Sequence, residues 1–312
     1  MKKVVVTGGA GFIGSHVVEE CLNQGYHVSV IDNLSTGNYE NIAGLPIDFY
    51  LVDITDPTVM NLITSLEPDY VIHLAAQVSV AQSVQNLLFD EKVNVTGSLH
   101  VIKGAVAAGA KRIVFSSSAA VYGNPLALPV TTEHPTFPES PYGLTKLTVE
   151  NYLKMFYKLY GLSYSILRFS NVYGPRQDAR GEGGVISIFA DLMCQNKQPI
   201  IYGDGEQTRD FIYVKDVASA VAQSMIIDGN ICVNISTETS ISIRQLYHTM
   251  KALMGIELNP VYEPERPGDI RESILANKAT KALLNWQPNT DLYKGLENTL
   301  VASYQGLTQV KG

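Results

Sequence analysis

A valine-rich run, Lys3-Val4-Val5-Val6-Thr7, breaks into Gly8-Gly9-Ala10-Gly11-Phe12-Ile13-Gly14, and this junction restricts the chain more than any other segment. A continuous apolar run bounded by glycine reads as a strand buried on both faces. After it, Phe12, Ile13, Val17, Val18, Cys21 and Leu22 recur at helical spacing, so the glycines occupy a strand-to-helix turn. Gly8, Gly11 and Gly14, spaced GxxGxxG, let backbone approach a pyrophosphate at the partially positive end of that helix. A second apolar run, 27–31, closes on Asp32, near the ~20-residue separation expected for a carboxylate that holds the ribose of an adenosine. Its charge repels a 2′-phosphate, which selects NAD over NADP, and Asn33, Leu34, Ser35, Thr36 and Gly37 form the loop around the adenosine.

Further apolar runs at 47–52, 70–74, 112–115 and 163–169 alternate with helical segments. One of these starts where Asp56 can cap a helix with Pro57 at its first position; two longer ones cover 83–108 and 142–160. Such alternation predicts an α/β fold, a Rossmann-type doubly wound parallel sheet spanning residues 1–170. Gly and Pro clusters near 174, 181, 203 and 264 mark a smaller α/β lobe over 171–312. Within it, the segments at 211–214, at the helix near Asp216 and at 231–235 are expected to rejoin the sheet.

Composition narrows the partners. Hydrophobic residues reach 46% and charged residues 17%, below the ~25% usual for soluble chains, which argues against a disordered polymer. A net charge of −7 offers no attraction to a phosphate backbone, so nucleic acid is not expected. Cys21, Cys194 and Cys232 show no CxxC pattern, implying neither a disulfide framework nor a metal site and fitting a reducing cytoplasm. Glycines interrupt the first apolar run at once, and no stretch of about 18 apolar residues follows, so neither export nor membrane insertion is expected.

Tyr142 and Lys146 stand at i and i+4 of a predicted helix and face the same way. An ammonium there stabilises a phenolate and draws a tyrosine down from ~10 toward neutrality, as acid–base work requires. Ser116, Ser117 and Ser118 end the strand at 112–115, at the sheet edge that faces ligands, and their hydroxyls are expected to point at substrate.

Taken together, TGGAGFIG from Thr7, DNLSTG from Asp32, HLAAQVSV from His73, FSSSAAVYG from Phe115, SPYGLTK from Ser140, RFSNVYGPRQ from Arg168, GDGEQTRDFIYVKDV from Gly203 and RPGD from Arg266 resemble an extended short-chain dehydrogenase/reductase, specifically the UDP-glucose 4-epimerase group. The likeness runs nearly the full length. It implies Phe12 and Ile13 under the pyrophosphate, Asp53 and Ile54 at the adenine, and Leu74, Ala75, Ala76, Gln77, Asn94 and Ser116 along the dinucleotide. Lys146 would also hold the nicotinamide ribose, while Ser118 binds the reacting sugar oxygen and Tyr142 moves its proton. Asn171, Arg209 and Arg266 would hold the diphosphate of a UDP-sugar, Asp269 its ribose, and Val185 and Tyr202 would border the uracil.

The same resemblance implies interconversion of UDP-glucose and UDP-galactose through a 4-keto sugar, by a homodimer joined through the 83–108 and 142–160 helices. Dehydratases and decarboxylases of the family carry an acid where Ala119 and Ala120 stand here. Ser273, where some epimerases place a large residue, suggests tolerance of an N-acetyl group; a glucuronate substrate would want a cation, for which Arg180 is the candidate. A non-catalytic NAD-binding regulator is a further alternative, although such proteins can lose the tyrosine and lysine retained here. His16, His73, Cys194, Cys232 and Trp286 read as packing residues.

Overall fold

The computed structural model describes residues 1–179, 183–265 and 270–309. Its first part runs β1 (Lys3–Thr7), α1 (Phe12–Asn23), β2 (His27–Asp32), β3 (Asp48–Leu51), α2 (Thr58–Leu66) and β4 (Tyr70–His73). Next come α3 (Val80–Gln85), α4 (Leu87–Glu91), a π-helical stretch (Lys92–Gly97), α5 (Ser98–Ala107), β5 (Arg112–Ser118), α6 (Pro141–Tyr160) and β6 (Ser163–Phe169). The second part contains β7 (Asn171–Tyr173), α7 (Val185–Cys194), β8 (Ile200–Tyr202), β9 (Thr208–Arg209), β10 (Phe211–Tyr213), α8 (Val214–Ser224) and β11 (Ile231–Ile235). It closes with β12 (Ile241–Ser242), α9 (Ile243–Met254), β13 (Val261–Glu263), α10 (Lys278–Leu284) and α11 (Leu292–Gln309).

Seven strands form one sheet in the order β11-β6-β5-β4-β1-β2-β3, each neighbouring pair parallel. This is the doubly wound Rossmann architecture. Successive side chains explain why its strands are apolar throughout: Val4 and Val6 enter a core shared with α1 and α8, whereas Val5 enters one shared with α2, α5 and α6. Burying one such side chain stabilises the fold by about 1.5–3 kcal/mol. Connections leave β1 and β4 in opposite directions, so a crevice opens between their C-terminal ends.

Two expectations are corrected. The helix predicted over 83–108 is broken: Asn86 leaves helical geometry and its Oδ1 accepts from Phe89 N at 3.1 Å, restarting the helix as α4. Apolar spacing alone carries no sign of that cap. Phe211–Tyr213 does not rejoin the main sheet, because β11 occupies the edge beside β6; β10 instead pairs with β7 in a separate two-stranded sheet. Among the described residues the second part carries two further short sheets, β12-β9 and β13-β8, around a third core that includes Phe189, Ile201, Leu246 and Leu296. At the start of α2 Pro57 stands at the cap position rather than the first helical one, and Asp56, just before it, accepts from Thr58 N through Oδ1 at 2.8 Å.

Candidate active site

At the crevice, missing side chains shape the backbone. Gly8 has φ +72°, and a Cβ on it would stand 2.6 Å from the backbone nitrogen of Ala75, two residues beyond β4. On Gly14 a Cβ would come within 2.0 Å of the Gly8 carbonyl oxygen, so α1 can press on the turn only with glycine there. Gly11 is the N-cap of α1 and brings no side-chain cap, which leaves first-turn N–H groups at Phe12 and Ile13 for a ligand. Asp32, 7% exposed, accepts from Ala10 N at 3.0 Å and Leu34 N at 2.8 Å. Burial pushes its carboxyl up, and the backbone donors oppose that rise.

The same carboxylate therefore ties the glycine turn to the 33–37 loop, whose Gly37 packs against it. Asn33 donates to Asp53 at 2.9 Å and accepts from Ser35 N at 3.0 Å, with Thr36 in the same loop. Gly8, Asp32, Asn33, Ser35, Asp53, Ile54, Ala75 and Ala76 line one cavity of about 50 Å³. These features fit NAD: a close-approach glycine turn, an uncapped helix start and a buried carboxylate suit its pyrophosphate and ribose.

Behind this wall stands a polar brace. Leu74 N donates to Thr7 O at 3.1 Å, continuing β4 beside β1. Asn94, in the π-helical stretch, accepts from Gln77 N and donates to Gln77 O, both at 2.9 Å, and donates to Asp90 at 3.0 Å. Gln77 itself reaches Asp90 at 2.7 Å, and Thr145 of α6 donates to the other Asp90 oxygen at 3.0 Å. Gln77 and Asn94 thus spend their amides fixing the wall, and the sequence did not mark Asp90 or Thr145 as their partners.

α6 is capped by Ser140, whose Oγ accepts from Gly143 N at 3.1 Å, and carries Pro141 at its start. Tyr142 and Lys146 project from its first two turns. Lys146 is 3% exposed, and its Nζ donates to Ser116 O at 2.9 Å while lying 5.0 Å from the Phe115 ring centre and 5.7 Å from that of Tyr142. Burial pulls the ammonium down to about 8, with Asp90 opposing. A cation so placed favours the ionised form of the phenol.

The three serines do not share one direction. Ser117 Oγ donates to Glu150 of α6 at 2.6 Å, Ser116 Oγ to His73 O at 3.2 Å, and Ser118 Oγ accepts from Ala120 N at 3.2 Å. Strand alternation turns Ser117 to the face opposite Ser116 and Ser118, so the expectation that all three hydroxyls meet substrate is corrected. His73 is a packing residue: Ser98 Oγ donates to Asn94 O and accepts from His73 Nε2 at 2.8 Å, leaving Nδ1 to accept from Thr7 Oγ1 at 2.7 Å. Burial, with Lys146 adding to it, takes this imidazole down to about 3, so it stays neutral.

Asn171 is exposed on β7, Val185 begins α7, and Tyr202 and Arg209 are half-buried on β8 and β9. The Arg209 guanidinium donates to Thr208 O at 2.8 Å and Ile270 O at 2.7 Å. Arg266 and Asp269, like Arg180, lie outside the described residues. His16 is buried with Nε2 on Pro175 O at 3.1 Å, and Trp286 belongs to the core beside α1. Burial raises the free thiols, Cys21 to about 12 and Cys232 to about 11. A larger cavity, about 610 Å³, opens beside His16, Arg176, Lys215 and Lys294, and no predicted site residue lines it. Among the described residues, no helix is long and apolar enough to cross a membrane.

Residues 4–227 match the pattern of the NAD dependent epimerase/dehydratase family. The chain belongs to this family. A putative UDP-glucose 4-epimerase of Methanocaldococcus jannaschii is 43% identical over 95% of this chain and 97% of its own. Family members of known structure superpose closely. A Thermotoga maritima UDP-glucose 4-epimerase solved with UDP-glucose gives a TM-score of 0.95 at 42% identity, covering 98% of this chain and 99% of that one. A UDP-N-acetylglucosamine 4-epimerase of Methanobrevibacter ruminantium, in complex with UDP-N-acetylmuramic acid, gives 0.93 at 36% identity, covering 99% of both. The expected extended short-chain dehydrogenase/reductase family, with NAD as cofactor, is borne out.

Proposed function

We propose that the protein is a UDP-sugar 4-epimerase that interconverts UDP-glucose and UDP-galactose and also accepts the N-acetylhexosamine pair. The observation that carries this is the buried Lys146 ammonium, 2.9 Å from Ser116 O and 5.7 Å from the centre of the Tyr142 ring. Bound NAD supplies reversible two-electron chemistry at carbon. Tyr142, as a phenolate stabilised by Lys146, takes the proton of the sugar 4-hydroxyl and returns it once the 4-keto sugar has presented its other face. Ser118 hydrogen-bonds the reacting oxygen. Lys146 also holds the cofactor ribose, and Asp32 with the 33–37 loop holds the adenosine.

Asn171, Arg209 and Arg266 grip the diphosphate, with Asp269 on ribose and Val185 and Tyr202 at uracil, so the sugar can turn while the UDP end stays bound. The names of the relatives support a uridine nucleotide. Ser273, whose N–H reaches Thr208 O at 3.3 Å, is small enough to leave room for an N-acetyl group, and the M. ruminantium enzyme supports that extension. Ala119 and Ala120 open a 3-10 turn after Ser118 and offer no acid for dehydration. In this reading residues 1–170 with β11 bind the dinucleotide and 171–312 mainly the nucleotide sugar. Exposed Leu87, Leu88 and Phe89 on α4 and Leu144, Tyr157 and Leu159 on α6 support a homodimer, and three free cysteines support a cytoplasmic setting.

The test incubates purified protein, without added cofactor, with UDP-glucose, UDP-N-acetylglucosamine or UDP-glucuronate and resolves the sugars by proton NMR. A C4 epimer from the first two is the expected result. An epimer from glucuronate alone would overturn the substrate, and none from any sugar after adding NAD would overturn the activity.

A further inference from the structure

Below the site lies a buried ion pair that the proposed chemistry does not use. Glu150 of α6 is fully buried and Arg168 of β6 is 4% exposed. Arg168 donates from Nε to Glu150 Oε1 at 2.9 Å and from Nη2 to Oε2 at 2.6 Å, a two-pronged fork. Ser117 donates to the same Oε1 at 2.6 Å, and Ser117 and Arg168 are register partners on β5 and β6. Two adjacent strands therefore converge on one carboxylate of the helix that carries Tyr142 and Lys146.

The spacing along α6 gives this convergence a consequence. Tyr142, Lys146 and Glu150 follow at intervals of four, one stripe down the helix. Lys146 is anchored to the carbonyl of Ser116 and Glu150 to the hydroxyl of Ser117, so consecutive turns of α6 are tied to consecutive residues of β5. Ser118 comes next on the strand. The guanidinium also stacks on Tyr122, 4.8 Å from its ring centre, and the Tyr122 hydroxyl donates to Asn234 at 2.6 Å on β11. Tyr122 directly follows the 3-10 turn that Ser118 caps, so the loop beyond Ser118 is held by the same group.

A buried ion pair is weak evidence for stability, since apolar residues of similar volume often replace one at no cost. What an apolar pair cannot supply is a directional fork that admits one helix register. We propose that Glu150, Arg168 and Ser117 are positioning residues that set the register of α6 on β5, holding Tyr142 at working distance from the oxygen bound by Ser118. The proposal rests on the assignment of Tyr142 as acid and base. A shift on the order of 1 Å at such a site costs about 100-fold in rate.

Three variants of the full-length, NAD-loaded protein test this on UDP-glucose: Tyr142→Phe, Glu150→Met with Arg168→Met, and Ser117→Ala. In the double variant, assayed at saturating NAD because Lys146 rides on the same helix, kcat falls about 10- to 100-fold while KM for UDP-glucose stays close to wild type, and Tm falls only by what the unpaired Ser117 hydroxyl costs. In Ser117→Ala, which leaves the fork intact, kcat falls a few-fold with the same KM. An inactive Tyr142→Phe beside a double variant and a Ser117→Ala of wild-type kcat would overturn the positioning role and leave the epimerase reading standing. Full activity in Tyr142→Phe would overturn that reading and the proposal with it. If the double variant does not fold, Ser117→Ala decides, and an unchanged kcat there overturns the proposal.

Discussion

Around Gly8 and Asp32 the groups proposed to meet a ligand are backbone N–H atoms and one buried carboxylate, set at the ends of five- and six-residue strands in a continuous sheet. Around Tyr202 and Arg209 they are side chains on strands of three and two residues, and their support arrives from Ile270 and Ser273, some sixty positions along the chain. The difference is one of rigidity. A dinucleotide site built from backbone tolerates no added atoms, whereas a sugar-nucleotide site built from side chains on short pairs can be retuned one residue at a time. The two halves are thus expected to fail differently when altered.

Of the two halves, the rigid one is expected to show the larger effect. Gly14→Ala places a methyl 2.0 Å from the Gly8 carbonyl, so the turn and α1 must separate. Bound NAD is then lost on purification and activity without added cofactor drops by about 100-fold or more; NAD released on denaturation, measured by its absorbance, checks this. If Gly14→Ala retains stoichiometric NAD, the crevice is softer than its geometry states.

Arg209→Met probes the other half. It removes the proposed diphosphate cation, together with its hold on Ile270 O, while leaving the seven-stranded sheet and α6 untouched, so KM for UDP-glucose rises about 10- to 50-fold with kcat and NAD content near wild type. Steady-state kinetics decide it, and a loss confined to kcat would erase the contrast between the halves.

A smaller effect comes with pH. The Lys146 ammonium, held down near 8 by burial, gives up its proton as pH rises through that value. Support for the Tyr142 phenolate goes with it, so kcat/KM declines above pH 8 by about tenfold per unit. Stability moves the other way for this residue. Between about 8 and the ordinary 10.5 the unfolded chain binds the extra proton, so the cost of burying a charge fades as pH rises. A kcat/KM that stays level to pH 10 would count against an electrostatic role for Lys146.

The same contrast explains what could be read from sequence. Glycine spacing, apolar runs and the Tyr142–Lys146 interval are local patterns with fixed periods, and the strands, α1, α6 and the crevice follow from them. Asp90 and the Glu150–Arg168–Ser117 cluster were not legible, because their partners meet only after folding. The direction of Ser117 is hidden for a related reason: three serines in a row look alike until strand alternation gives each a face. The second half offered short segments such as Phe211–Tyr213, whose apolar pattern is equally compatible with either sheet.

The most direct test is the comparison of Tyr142→Phe with wild type on UDP-glucose at matched NAD content, with kcat and KM determined separately. With Tyr142 as the acid and base, kcat falls by about 1,000-fold or more while KM stays within about threefold, because the lost hydroxyl would act on the reacting proton and the UDP end would be held elsewhere. An unchanged kcat, or a loss carried entirely by KM, would contradict that role.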